Sequence, residues 1–199
     1  MIAIVSKTKM TPEEYLAWES EQDTKYEYEH GEIIEMTGGK LYHNKIALNL
    51  IILISNYLRD RDCWVLGSDA KVMTPEGVFY YPDVVVSCDD RDRSAQDFLQ
   101  YSCLIAEVLS PSTESRDRGL KFGNYRKMET LQEYLLIDCD RPSLEIYRRN
   151  QNNNWELIHI FNNQLDFATA NPEIHLASID LKFSLADLYE SIEFLPQEI

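Results

Sequence analysis

Two apolar runs in this chain each enclose one carboxylate: FYYPDVVVS around Asp83, and YSCLIAEVLSPST around Glu107. Runs of Val, Ile, Leu and aromatic residues of this kind read as strands buried in a sheet. An ionised carboxylate taken out of water costs several kcal/mol unless a cation, hydrogen bonds or a proton compensates it. Two of them on neighbouring strands add their mutual repulsion, and one divalent cation shared between them would relieve both terms. Side chains alternate along a strand, so Asp83 shares a face with Val85 and Ser87, and Glu107 shares one with Ile105 and Leu109. If the two strands are neighbours, both carboxylates can reach one magnesium or manganese ion, which takes oxygen ligands and keeps several waters. Each residue also has a structural reading, because Pro-Asp opens strands and turns and a strand-end Glu can pair with a basic residue.

At 199 residues the chain can bury roughly 70% of its unfolded surface. Its longest apolar stretch, Ile46 to Leu58, is broken by Asn49, Ser55 and Asn56 and is too short for a membrane span. The N-terminal MIAIVSKTKM lacks the basic region and apolar core of a signal peptide. The four cysteines (Cys63, Cys88, Cys103, Cys139) form no CxxC pair, so reduced core thiols and a cytoplasmic protein are expected. A net charge of −15 weighs against nucleic acid as a partner. The excess acid lies in residues 1–35 and 151–199, however, whereas residues 110–150 are nearly balanced and basic residues cluster after Glu107.

TPEEYLAWES predicts a short helix capped by Thr11, with Pro12 at its first position and Glu14 completing the cap. KYEYEHGEIIEMTGG alternates around His30-Gly31 and predicts a hairpin. In HNKIALNLIILISNYLRDRD, Ile46, Leu50, Leu53 (or Ile54) and Tyr57 recur at helical intervals, giving a deeply packed helix that opens at His43. Strands are expected at WVLGSDAKVMT, FYYPDVVVSC and CLIAEVLS, then a helix over about 114–130 with Ser110, Ser112 and Thr113 suited to its cap. EYLLID predicts a further strand, SLEIYRR and WELIHIF a hairpin around NQNNN, and the tail small strands and a short helix ending near Phe194. This order predicts a mixed α/β (α+β) fold with a covered sheet. Gly119 and Gly123 interrupt the 114–130 helix at about 1 kcal/mol each, which suggests close packing on the sheet, a nearby substrate, or an irregular helix.

The chain resembles the PD-(D/E)XK nuclease superfamily, and within it the Uma-type family of restriction-endonuclease-like proteins, known largely as a domain of unknown function. The resemblance runs from about Tyr15 to Tyr147 and rests on GEIIEM, the helix opening at His43, PDVVV, AEVLSPST, the spaced Asp117, Lys121 and Tyr125, and EYLLID. It implies a restriction-endonuclease-like core over about 43–138 within one domain spanning 1–199. That core would have a central mixed sheet flanked by helices, an N-terminal helix and hairpin over 11–38, and extra strands over 144–199. It further implies that Asp83 and Glu107 bind Mg2+ or Mn2+, that a lysine serves the attacking water, and that the protein is a homodimer acting on nucleic acid, with DNA as the expected substrate.

The superfamily's usual lysine position is occupied here by Leu109. Lys121, on the following helix between Asp117 and Tyr125, is the expected substitute; Lys71 is an alternative, and an ordinary Asp117–Lys121 surface pair is the structural reading. Arg116, Arg118, Arg126 and Lys127 could contact a phosphate backbone. His43, Glu32 and Glu35 are further candidates for the site, whereas His159 and His175 read as structural. Three functions follow: a metal-dependent endonuclease, a degenerate nuclease fold that binds nucleic acid or a protein partner without cutting, or an unrelated acidic protein whose two carboxylates are structural.

Overall fold

The computed structural model describes residues 4–7, 10–36, 38–162, 167 and 170–194. The chain begins with β1 (Ile4–Lys7), α1 (Pro12–Glu19), β2 (Tyr26–Glu29) and β3 (Glu32–Glu35). Next come α2 (Leu41–Tyr57), β4 (Trp64–Gly67), β5 (Val72–Met73), β6 (Phe79–Tyr80), β7 (Val84–Ser87) and β8 (Leu104–Leu109). A helical segment in three pieces follows: α3 (Glu114–Arg116), a π-helical turn over Asp117–Lys121, and α4 (Phe122–Tyr125). β9 (Glu133–Asp138), β10 (Ser143–Arg149), β11 (Trp155–Phe161), β12 (Glu173–Leu176), β13 (Leu181–Ser184) and α5 (Leu185–Leu188) complete the order.

Among the described residues the strands form an antiparallel sheet in the order β1-β3-β2-β6-β5, a mixed six-stranded sheet β11-β10-β9-β8-β7-β4, and the hairpin β12-β13. In the six-stranded sheet β8 and β9 run parallel, joined by the helical segment, and the other pairs are antiparallel. Every residue of β7 and β8 is buried, as expected of strands covered on both faces. On one face, Ile46, Leu50 and Ile54 of α2 pack with Val84, Val86, Ala106, Val108, Leu135 and Ile137, alongside the C-terminal hairpin and α5. On the other face, Val85, Ile105, Leu109 and Leu136 meet Tyr80, Tyr125 and Tyr134. The mixed fold with a covered central sheet thus agrees with the pattern of the sequence.

Local chemistry explains several elements. Thr11 and Glu14 form a capping box at α1, with Pro12 inside the first turn. His30 and Gly31 both have positive φ, 49° and 89°, which gives a two-residue turn whose twist suits the β2–β3 hairpin.

Five sequence expectations need correction. The run FYYPDVVVSC is two strands, not one: Pro82 has no N–H to donate to a ladder, so β6 joins one sheet and β7 the other. WVLGSDAKVMT divides likewise between β4 and β5. The helix expected over 114–130 ends at Tyr125, because Met128 and Leu131 turn inward and are buried in the apolar layer with Tyr125. Cys63 and Cys88 are disulfide-bonded and not reduced. They lie one step beyond the Trp64–Ser87 pair of the antiparallel β4–β7 register, a proximity that a separation of 25 residues conceals; Cys103 and Cys139 are free thiols. The last described helix is Leu185–Leu188, short of Phe194. Among the described residues no helix is long and apolar enough to cross a membrane.

One buried acid ties the C-terminal hairpin to the sheet. Glu133 is fully buried and accepts hydrogen bonds from Arg148 Nε (2.8 Å), the N–H groups of Ala177 (3.1 Å) and Ser178 (2.9 Å), and the Ser178 hydroxyl (2.6 Å). Glu133→Ala leaves four donors without their acceptor and is expected to lower the unfolding free energy by about 2–4 kcal/mol. Urea unfolding followed by circular dichroism checks this, and an unchanged midpoint would contradict it.

Candidate active site

Asp83 lies directly before β7, at the point where the chain passes between the sheets. The β7–β8 register pairs Val84 with Ala106, so one step further Asp83 stands opposite Glu107, and opposed residues of an antiparallel pair share a face. Asp83 Oδ2 accepts the Val108 N–H at 2.7 Å and lies 3.3 Å from Nε2 of His43, in the first turn of α2. Burial works against a charged imidazole, but the hydrogen bond and charge of Asp83 outweigh it and hold His43 above its ordinary pKa.

Above Glu107 sits a buried ammonium. Lys121 Nζ is 2.9 Å from Glu27 Oε1, 3.1 Å from Glu107 Oε1 and 3.6 Å from Asp117 Oδ1, and Tyr125 donates its hydroxyl to the same Glu107 oxygen at 3.4 Å. Glu107 is 3% exposed, Asp117 2% and Lys121 6%, which removes the surface-pair reading of Asp117 and Lys121. The π-helical turn brings Asp117 and Lys121 down onto the sheet, where Tyr134 donates its hydroxyl to the Asp117 carbonyl at 2.9 Å.

The second acid pair comes from β2, whose sequence YEYE alternates by face. Tyr28 packs with Tyr15 and Phe79 on one side, while Glu27 and Glu29 turn to the other and are both buried. Arg116 bridges them, paired with Glu27 Oε2 and lying 3.2 Å from Glu29 Oε2. Glu29 Oε1 also accepts the Tyr80 hydroxyl and Asn124 Nδ2. Neither Glu27 nor Glu29 was among the sequence candidates. The signal available was the acid-aromatic alternation of YEYE together with the unbalanced Arg116 and Lys121 further on. Glu32 and Glu35, which were candidates, are only half-buried in β3.

Five carboxylates (Glu27, Glu29, Asp83, Glu107, Asp117) therefore converge with two permanent cations, Arg116 and Lys121. Burial, then the charges of Asp117, Asp83 and Glu27, raise Glu107 well above the ordinary carboxylate range despite Lys121. Burial likewise raises Asp117, whose buried Oδ1 accepts no hydrogen bond. Burial opposes the charge of Lys121, yet Glu107, Glu27 and Asp117 outweigh it and hold the ammonium well above its usual pKa. Glu27 is held below the usual range, because Lys121 and Arg116 outweigh its burial. Surplus negative charge and an orphaned carboxylate oxygen suit a divalent cation. Among the described residues no three His, Cys, Asp or Glu side chains surround one point as a cage. Magnesium does not need one, since it takes one or two carboxylates and fills its shell with water or phosphate oxygens.

The remaining candidates are placed as follows. Leu109 is buried in the apolar layer with Ile105 and Tyr134. Lys71 is bound elsewhere, 2.7 Å from Glu19. Arg116 faces inward, Arg118 pairs with Glu114 and Glu145, and Arg126 and Lys127 are exposed. Gly119 and Gly123 are not closely packed, since a Cβ at either would meet nothing within 4 Å. Thr113 caps the helix by position without a side-chain cap bond. His159 bonds Ser143 and His175 bonds Asp180, away from the cluster. A cleft of about 700 Å³ opens between α2 and β4, lined by Asn44, Lys45, Leu48, Ile51 and Gly67 and ending at Asp83.

The sequence profile of the Uma2 family, described as "Putative restriction endonuclease", matches residues 12–182. "Uncharacterized protein slr1290" of Synechocystis sp. (strain ATCC 27184 / PCC 6803 / Kazusa) is 38% identical over 187 residues, covering 94% of each chain. From the same organism, "Uncharacterized protein sll1609" is 34% identical over 171 residues, 83% of this chain and 97% of that one. The crystal structure of "a putative nuclease belonging to DUF820" from Anabaena variabilis ATCC 29413 superposes with a TM-score of 0.72 at 20% identity, covering 90% of this chain and 97% of the other; this likeness carries the fold. The extent of the profile match makes the chain a member of the Uma2 family.

Proposed function

We propose that the protein is a metal-dependent endonuclease that hydrolyses phosphodiester bonds in DNA. The observation that carries this reading is that Asp83 stands opposite Glu107 at the end of the β7–β8 pair, with Lys121 3.1 Å from Glu107 and an open cleft beside Asp83. Asp83 and Glu107 would hold Mg2+ or Mn2+. When bound, the ion supplies Lewis-acid polarisation of a phosphate oxygen and lowers the pKa of a coordinated water. The Val108 N–H fixes the orientation of Asp83, and His43 donates to the same carboxylate. The carboxylates of Glu107, Glu27 and Asp117 around Lys121 favour its ammonium form. Its role is to stabilise negative charge developing on the phosphoryl group. The description of the family as "Putative restriction endonuclease" supports the reaction class.

A second reading has one observation in its favour. The two basic groups nearest the acids, Arg116 and Lys121, are already bound to carboxylates, which suits a nuclease fold that binds nucleic acid or a protein partner without cutting.

Plasmid nicking separates the two. With magnesium or manganese the wild type is expected to cut, Asp83→Ala to fall to background, and Lys121→Ala to lose about 10²–10³-fold in kcat while keeping its Mn2+ affinity in calorimetry. Equal background nicking by wild type and Asp83→Ala would remove the enzyme reading, and salt-dependent DNA binding without cutting would favour the second.

We further propose a homodimer, supported by Leu41, Leu48 and Ile52, which α2 leaves exposed. Light scattering is expected to give twice the chain mass for the wild type and the single mass for Leu48→Glu/Ile52→Glu. A single mass for the wild type would rule the dimer out.

A further inference from the structure

We propose that Glu27, on the first strand of the N-terminal hairpin, is the positioning residue for Lys121, and that Arg116 and the Tyr81 N–H hold Glu27 for that task. The proposal rests on the reading that Lys121 serves phosphodiester hydrolysis.

A lysine side chain has four rotatable bonds and carries about 2 kcal/mol of rotamer entropy, so an ammonium placed from a helix onto a strand carboxylate must be aimed by something. Three acceptors surround Lys121 Nζ. Glu107 is the proposed metal ligand, and its Oε1 accepts both Lys121 Nζ at 3.1 Å and the Tyr125 hydroxyl at 3.4 Å. Asp117, at 3.6 Å, is too far for a hydrogen bond. Glu27, at 2.9 Å, is the nearest of the three. Its geometry is also constrained: Arg116 grips Oε2, and Oε1 accepts the Tyr81 N–H at 3.3 Å while lying 2.9 Å from Lys121 Nζ. Tyr81 is two residues before Asp83, so the segment that delivers the metal carboxylate also clamps Glu27.

Glu29 makes a useful contrast. It shares the same face of β2 and the same arginine, but its other partners are Tyr80 and Asn124, and none of its bonds reaches Lys121. Glu27 therefore acts on the lysine, while Glu29 braces the arginine. Glu27 is linked to Glu107 through the Lys121 ammonium that lies between them, which makes it a positioning residue and not a proposed metal ligand.

A double-mutant cycle and a spectroscopic arm test this. In metal-dependent cleavage, Glu27→Gln is expected to lower kcat about 10-fold with KM held within about 3-fold. In a Lys121→Ala background the same substitution is expected to change the rate less than about 2-fold, because its target is gone. Losses that multiply would overturn the proposal and make Glu27 merely structural. Independently of any cleavage, spectra of protein labelled with 15N at lysine Nζ are expected to show a protected ammonium signal that Lys121→Ala removes. Glu27→Gln is expected to collapse that signal into the solvent-exposed lysines; a signal unchanged by Glu27→Gln, or absent from the wild type, would overturn the proposal. Should Glu27→Gln fail to fold, Arg116→Gln makes the same two comparisons from the other side of the pair. A wild type that shows the ammonium signal but cuts nothing would sink the nuclease reading while the positioning stands.

Discussion

The rest of the structure depends on neutralising a knot of buried acids. Glu27, Glu29, Glu107 and Asp117 are all nearly inaccessible to water, and each would carry a desolvation penalty of several kcal/mol if left alone. Arg116 and Lys121 offset part of it, and neutral donors from Tyr80, Tyr125, Asn124 and the Tyr81 N–H offset more. The residue of uncompensated charge appears as the raised pKa values of Glu107 and Asp117. A hydrophobic core would have been cheaper at every one of these positions.

The architecture concentrates these groups by changing sheets at one proline. β6 belongs with the N-terminal hairpin and β7 with the central sheet, so residues 80–83 run along the seam between them. Tyr80 reaches Glu29, the Tyr81 N–H reaches Glu27, and Asp83 reaches the Val108 N–H. Hairpin, seam and central strand are thus bonded to one another through the acids themselves. A displacement of the hairpin would be felt at Lys121 through Glu27, and at Arg116 through both glutamates.

The central strands and the two carboxylates on them were legible in sequence because burial on both faces leaves long apolar runs in which Asp83 and Glu107 stand out. Lys121 was legible through its spacing from Asp117 and Tyr125, although the backbone there is a π-helical turn and not a regular helix. What stayed hidden depended on tertiary pairing. Glu27 and Glu29 read as the solvent side of an amphipathic strand until β6 and the 114–125 segment cover that side. Cys63 and Cys88 read as separate core thiols until the β4–β7 register sets them opposite one another. The arginines that looked like phosphate contacts after Glu107 are, for Arg116, internal counter-ions. Local patterning reveals which groups are costly to bury; only the assembled sheets reveal which partner meets the cost.

Leu109 explains why the lysine approaches from a helix. It lies on the Glu107 face of β8 but one pair further along, packed with Ile105, Tyr125 and Tyr134. The side chain at position 109 fills that apolar and phenolic layer, so this strand position supplies no ammonium to the acids. Placing the lysine at position 121 brings its stem in from the layer above, so that the ammonium descends on Glu107 with Glu27 on its other side. The consequence is a division of labour that a strand-borne lysine would not need. Strand pairing alone aligns Asp83 with Glu107, whereas the position of the ammonium is set by the hairpin and the π-helical turn together. In a family member built this way, the N-terminal hairpin is part of the framework that holds the buried acids and not an appendage to the central sheet.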